Sequence, residues 1–150
     1  EDLPLMLQKL DSVIKKARLD PSDVLLRLER QKDIAVFRKV LPGSRLRIMY
    51  YYVPSKKDLE EGLTDSKIVE AALWCRKNSI GYIGMNPDHY TETAAKAVRR
   101  KGLKLCLFTL VNTTLFRSVK TERIIRCLNS GADMVASHYY GPDYLSRLTK

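Results

Sequence analysis

The chain has 150 residues, with 27 Lys plus Arg against 17 Asp plus Glu, a formal net charge of +10 and 45% hydrophobic residues. That composition excludes an intrinsically disordered chain, and no apolar run approaches the roughly 18 residues of a membrane helix. A single domain of this length buries roughly 70% of the surface its unfolded chain exposes, so it needs no disulfide or structural metal to build a core.

In chain order, Leu3, Leu5, Met6, Leu10, Val13, Ile14 and Ala17 recur at three and four, the stripe of an amphipathic helix that Asp20-Pro21 brings to an end. Val24 to Leu28 reads as a short strand. Ile34, Phe37, Val40 and Leu41 resume helical spacing and stop at Pro42-Gly43. Leu46 to Val53 is a second strand, and Pro54 to Thr64 a charged loop containing Gly62. Ile68 through Trp74 is helical, and Ile80 to Met85 a strand with Gly81 and Gly84 inside it. Asn86-Pro87 reads as a helix start, with Asn as cap and Pro in the first turn, and Gly102 sits where the helix should end. Leu103 to Val111 is a strand, Thr121 to Asn129 a helix closed by Ser130-Gly131, and Asp133 to Ser137 the last strand. Tyr144 to Leu148 adds a helical turn.

Helices and strands therefore alternate with no hairpin signal between strands, which implies right-handed crossovers and a parallel α/β sheet in a single domain. An open five-stranded sheet and part of a closed barrel both fit this order, but a complete eight-stranded α/β barrel of about 250 residues does not. Neither a glycine-rich phosphate turn after a strand nor a GxxxxGK[ST] string is present, so a nucleotide-binding sheet loses its main signature.

The positive charge favours anionic partners, whether phosphate esters, nucleic acid or an acidic membrane surface, and does not choose among them. The cluster Arg99, Arg100, Lys101 and Lys104 is either a helix C-terminus, where cations complement the dipole, or an anion contact. Cys75, Cys106 and Cys127 are far apart, make no CxxC pair and lie in apolar stretches, which points to core thiols in a reducing, cytoplasmic compartment. With Glu1 in place of an initiator Met and no signal-peptide pattern, the expectation is a processed chain or a piece of a longer one.

Leu105-Cys106-Leu107-Phe108-Thr109-Leu110-Val111-Asn112 resembles the Trp-Thr-Val-Asn strand of the glycerophosphodiester phosphodiesterase family, a metal-dependent α/β barrel. Gly131-Ala132-Asp133-Met134-Val135-Ala136-Ser137-His138 resembles the family's closing Gly-Val-Asp-Gly-Ile-Ile-Thr-Asp, with Pro142 and Leu145 close behind. Val24 to Leu28, then Ile34, Phe37 and Pro42, then Leu46 to Met49 can be laid on the family's fifth strand, the helix after it and its sixth strand. The departures are Phe108 for Trp, Asn112 displaced by one position, Leu28-Glu29 for Ser-Phe, and His138 for Asp.

The resemblance implies a half barrel of strands five to eight plus the preceding helix, one strand fewer than the periodicity predicts. It also implies that the N-terminal half, with the family's His-Arg-Gly, second His and metal carboxylates, lies elsewhere. Here the histidines are His89 and His138, neither followed by Arg. A divalent cation is expected for the complete barrel and none for this chain, since Glu29 is the single acid among the strand-end candidates. Open sheet edges invite the missing half or another chain.

Chemistry in such barrels gathers at the C-terminal strand ends, which nominates Arg27, Glu29, Tyr51, Tyr52, Asn86, Phe108, Asn112 and His138. Arg27 and Glu29 share a strand face and make either a phosphate or hydroxyl clamp or a plain ion pair. Tyr50, Tyr51 and Tyr52 must split between two faces, and Tyr52 is carried forward as the ligand-facing candidate. Phe108 is either core or a platform. His138 could act as acid or base, since the intrinsic pKa of an imidazole lies near neutrality, but needs a partner for that work, and His89 is a first-turn surface residue. No catalytic residue and no metal ligand is assigned within the chain.

Three functions remain: the substrate-side half of a phosphodiesterase acting on a phosphate-bearing small molecule or lipid headgroup, with contact to an anionic membrane; an inactive barrel-derived interaction module; and a basic nucleic-acid-binding domain. The tyrosines in or beside strands speak against the last.

Overall fold

The computed structural model describes residues 2–109 and 125–137. The elements are α1 (Leu3–Lys16), β1 (Leu25–Leu28), α2 (Gln31–Val40), β2 (Arg47–Tyr51), α3 (Lys56–Glu60), α4 (Thr64–Lys77), β3 (Tyr82–Met85), α5 (Glu92–Arg100), β4 (Lys104–Thr109) and β5 (Met134–Ser137), with a helical stretch at 125–129 before β5. The strands form one five-stranded sheet in the order β1-β2-β3-β4-β5, every neighbouring pair parallel. It curls as part of an α/β barrel with alternating helices. All five expected strands are present, so the sheet has the fifth strand that the periodicity predicts and the family resemblance leaves out.

Two local expectations need correction. The stretch from Pro54 to Thr64 is not all loop. Ser55 caps α3, its hydroxyl accepting from the Asp58 amide at 3.1 Å while the Asp58 carboxylate accepts from the Ser55 amide at 3.1 Å. This reciprocal bonding satisfies two otherwise unpaired helix-end donors. Asn86 does not start α5. Its side chain caps a single 3-10 turn, Pro87–His89, accepting from the Asp88 amide at 3.0 Å, and Thr91 caps the helix by accepting from the Ala94 amide at 3.1 Å. The expected helix at Thr121 to Asn129 is described only over 125–129, and Leu110, Val111 and the turn at Tyr144 to Leu148 fall outside the described residues.

The main core lies between the sheet and the helices. Leu28, Ile83, Met85, Leu105 and Leu107 point from the strands into it, and Ile34, Ile68, Ala72, Ala95 and Val98 meet them from the helices. The thiols of Cys75, Cys106 and Cys127 are buried and form no disulfide. Burial pushes Cys75 up to about 12, and burial with the nearby Asp133 carboxylate pushes Cys106 up to about 11, so both stay protonated at neutral pH.

Parallel order fixes which end of the molecule each charge occupies. Each helix runs back across the sheet, so its C-terminus lies at the N-terminal end of the strands. The last turns there carry Lys15 and Lys16 in α1, Arg38 and Lys39 in α2, Arg76 and Lys77 in α4, and Arg99 and Arg100 in α5, each pair complementing a helix dipole. Arg99 also donates to the Ser130 and Gly131 carbonyls at 3.2 and 3.1 Å, tying α5 to the approach to β5.

The leading helix joins this core through Leu7 and Ile14. Leu7→Ala, at a fully buried position, is expected to lower unfolding stability by about 2–5 kcal/mol. Val13→Ala, on the exposed side of the same helix, should change it by less than about 0.5 kcal/mol. Urea midpoints of the two variants check this.

Candidate functional site

Strand alternation sends a second set of side chains to the concave face. Met49, Tyr51 and Cys106 are buried outside the helix-side core, and the register places Arg27 beside Met49, Tyr51 beside Gly84, and Gly84 beside Cys106. Paired residues of a parallel ladder share a face. At the C-terminal end of this row the Tyr51 and Phe108 rings meet edge to face, centroids 5.3 Å apart at 85°, a favoured aromatic geometry. They come from β2 and β4, and β3 runs between them.

Gly84 makes that contact possible. A Cβ at this position would stand 2.8 Å from Met49 Sδ, 3.0 Å from Tyr51 Cδ2 and 3.3 Å from Phe108 Cε2. Glycine is needed here for space, since Gly84 has an ordinary φ.

Arg27 lies across the pair. Its Cζ is 3.7 Å from the Tyr51 ring centroid and 5.2 Å from that of Phe108, and Nη2 donates to Glu29 Oε1 at 2.5 Å. The magnitudes differ. An ion pair with a half-exposed glutamate is worth about 0–1 kcal/mol, whereas a cation stacked on aromatic faces gains about 0.5–2 kcal/mol. The rings fix the guanidinium plane, and Glu29 is the weaker, exchangeable partner. An arginine held this way can turn its free N–H groups toward a phosphate or carboxylate.

Of the predicted site residues, Arg27, Glu29 and Phe108 come together. Tyr52 lies on the other face with Tyr50, packed among the helix-side core residues, while Tyr51 takes the concave position. Asn86 sits just beyond β3 as a turn cap. Asn112 and His138 lie outside the described residues. The sequence signal for Tyr51 was the alternation from Met49, and the signal for Gly84 was a glycine in a strand with no turn to serve.

The described residues do not fit a divalent cation. No group of three His, Cys, Asp or Glu that could hold a metal occurs among them, and Glu29, the carboxylate beside the rings, is already engaged by Arg27.

No family model and no curated protein matches the chain. A solved structure does: a protein of Silicibacter pomeroyi DSS-3, provisionally assigned as a glycerophosphoryl diester phosphodiesterase, is similar with a TM-score of 0.69 at 14% identity. The match covers 97% of this chain and 44% of that one, so the chain spans less than half the length of its neighbour. At that identity the likeness establishes the fold alone, that of part of an α/β barrel.

Two substitutions test the geometry. Gly84→Ala is expected to cost about 1–3 kcal/mol, because it pushes the two rings and Met49 apart. Gly81→Ala, where nothing lies within 4 Å of the added carbon, should cost far less in the same urea titration. Tyr52 supplies a pH test. Burial pushes its phenol up to about 12, and its hydroxyl has no hydrogen-bond partner among the described residues. A group neutral in the fold and raised above its unfolded value near 10 stabilises fully below pH 10 and loses that contribution as pH rises toward 12. Tyr52→Phe should therefore unfold at equal or higher urea at pH 7 and show a smaller decline between pH 10 and 12.

Proposed function

We propose that the chain is the C-terminal part of a barrel that hydrolyses phosphodiesters of the glycerophosphodiester kind, and that it provides the wall against which the substrate phosphate or its headgroup rests. The observation that carries this reading is Arg27 laid across Tyr51 and Phe108 at the C-terminal strand ends, the end where barrels of this architecture place their chemistry. The fold likeness to the Silicibacter pomeroyi protein supports it.

In this reading Arg27 exchanges Glu29 for a substrate oxygen, Phe108 and Tyr51 cover the apolar part of the substrate, and Asn86, Asn112 and His138 add polar contacts. The acid/base pair and a divalent cation belong to residues outside the chain, so no step is routed through this chain's carboxylates. The rest of the barrel, or another chain, pairs at the outer edges of β1 and β5. A lipid-derived substrate would suit an approach to an anionic membrane surface. Among the described residues no helix is long and apolar enough to cross one.

A second reading, an inactive interaction module, is favoured by the same Arg27–Glu29 pair, which closes the arginine on a partner of its own.

The test is phosphodiesterase activity of the longest natural form of the protein, with magnesium or calcium, on glycerophosphocholine and on bis(p-nitrophenyl) phosphate. Arg27→Gln should lower kcat/KM by about 10- to 100-fold, and Glu29→Gln should leave it equal or higher, since it removes the competing partner. An inactive wild-type protein would sink the catalytic reading in favour of the second.

A further inference from the structure

A cavity of about 410 Å³ opens at the opposite end of the sheet, between the C-terminus of α2, the entry to β2 and the turn into β3. Its polar lining includes Arg38, Arg47, Ser44 and Tyr82, with Phe37 and Ile48 among its apolar walls, and no Asp or Glu lines it among the described residues. Arg47 Nη1 donates to the Tyr82 hydroxyl at 3.2 Å, and Arg38 donates to the carbonyl of Asn78, which closes α4. Both guanidinium groups are held by neutral oxygens. The neighbouring carboxylate, Asp20, is taken by Arg45 at 3.0 Å and is held below its usual range first by hydrogen bonds from Ser22 and then by Arg45 and Arg47.

Dipole complementation explains why cations gather here, but it does not use up their charge. The C-termini of α2 and α4 each contribute about half a negative charge, while their last turns alone bring four full positive ones. Arg47 belongs to no helix end, and neither does Lys104, whose ammonium lies 5.7 Å from the Tyr82 ring centroid. The surplus is positive, local and concave.

We propose that this cavity binds the phosphate group of a phosphate monoester, with Arg38 and Arg47 as its ligands and Phe37 and Ile48 against the organic part. Two forked guanidinium groups suit a dianionic phosphate, which offers oxygens to both at once. A monoester fits better than a nucleic acid backbone because the positive groups converge on a pocket and not along a groove. The site stands at the other end of the strands from Arg27 and is independent of the phosphodiesterase reading.

Backbone amide shifts of the full chain, followed during titration with phenyl phosphate, test it. The expected result is saturable shifts at Ser44, Gly81 and Tyr82, about tenfold weaker affinity in Arg47→Gln, partial recovery in Arg47→Lys, and no change in Lys96→Gln on the outer surface of α5. Arg38→Lys gives a second arm that keeps the helix-end charge while losing the fork. Vesicles of phosphatidylcholine containing phosphatidic acid distinguish the source. Binding to them and not to phenyl phosphate, lost in Arg47→Gln, places the same phosphate on a lipid and supports the site. Shifts that never saturate, shifts spread evenly over the basic last turns, or binding to an RNA duplex that Arg47→Gln leaves intact would each overturn it.

Discussion

Because successive side chains of a strand point to opposite faces, a parallel sheet with its helices on one side must write two different sequences into each strand. In β2 the residues Ile48 and Tyr50 go under the helices, while Met49 and Tyr51 go to the concave side. In β3 the division is Ile83 and Met85 against Gly84, and in β4 it is Leu105 and Leu107 against Cys106 and Phe108. Apart from Tyr50, the helix-side set is aliphatic residues and Met85, of a kind that a close-packed core lets exchange for one another. The concave set is not. A ring on β2 and a ring on β4 touch only because the residue between them has no side chain, and Arg27 finds its place only because the rings touch. The site therefore rests on a missing methyl group in the strand between.

The same parallel order separates charge along the strands. Helix C-termini and their cations collect at one end, and strand C-termini with Arg27 and Glu29 at the other. Strands of four to six residues at about 3.3 Å per residue put roughly 13–20 Å between the ends, beyond the screening length of about 8 Å at physiological salt. The net charge of +10 thus does not act as one field. At one end it is a surplus around Arg38 and Arg47, and at the other the described charges include matched pairs, Arg27 with Glu29 and Arg30 with Asp33.

How much of this the sequence discloses depends on the range of the interaction involved. The strands were legible because each is a local apolar run, and the barrel-like order because no hairpin turn interrupts it. The helix α3 was not, since four charged residues and a lone Leu59 make no apolar stripe and its start is marked by the reciprocal bonds of Ser55 and Asp58. Asn86-Pro87 has the residues of a helix start, but the same pair serves a 3-10 turn, and it is Thr91 that stands one turn ahead of the apolar positions Ala94, Ala95 and Val98. Among Tyr50, Tyr51 and Tyr52 the alternation forces a split without saying which side faces the helices. Trp74 decides it, by packing on Tyr50 at 5.3 Å from another element 24 positions along. Gly84 is a nonlocal case of the same kind, because its reason lies in Met49, Tyr51 and Phe108 together.

An open concave face also sets the strength of what happens on it. Arg27 keeps about a third of its side chain exposed and Met134, beside Cys106 in the ladder, is 40% exposed, so water reaches the row that the rings begin. In that setting a pair of charges at 4 Å is worth about 1 kcal/mol, and at the effective dielectric near a protein surface about 4 kcal/mol. Any element that covers this face therefore strengthens the hold of Arg27 on an anion without touching the anion itself. It strengthens the pair with Glu29 by the same factor, so covering alone does not favour a ligand over the glutamate. What tips the balance is geometry. A phosphate diester and a carboxylate each carry one negative charge, but the diester brings two forked oxygens and an organic body for Tyr51 and Phe108 to cover, and Glu29 reaches Arg27 through a single bond.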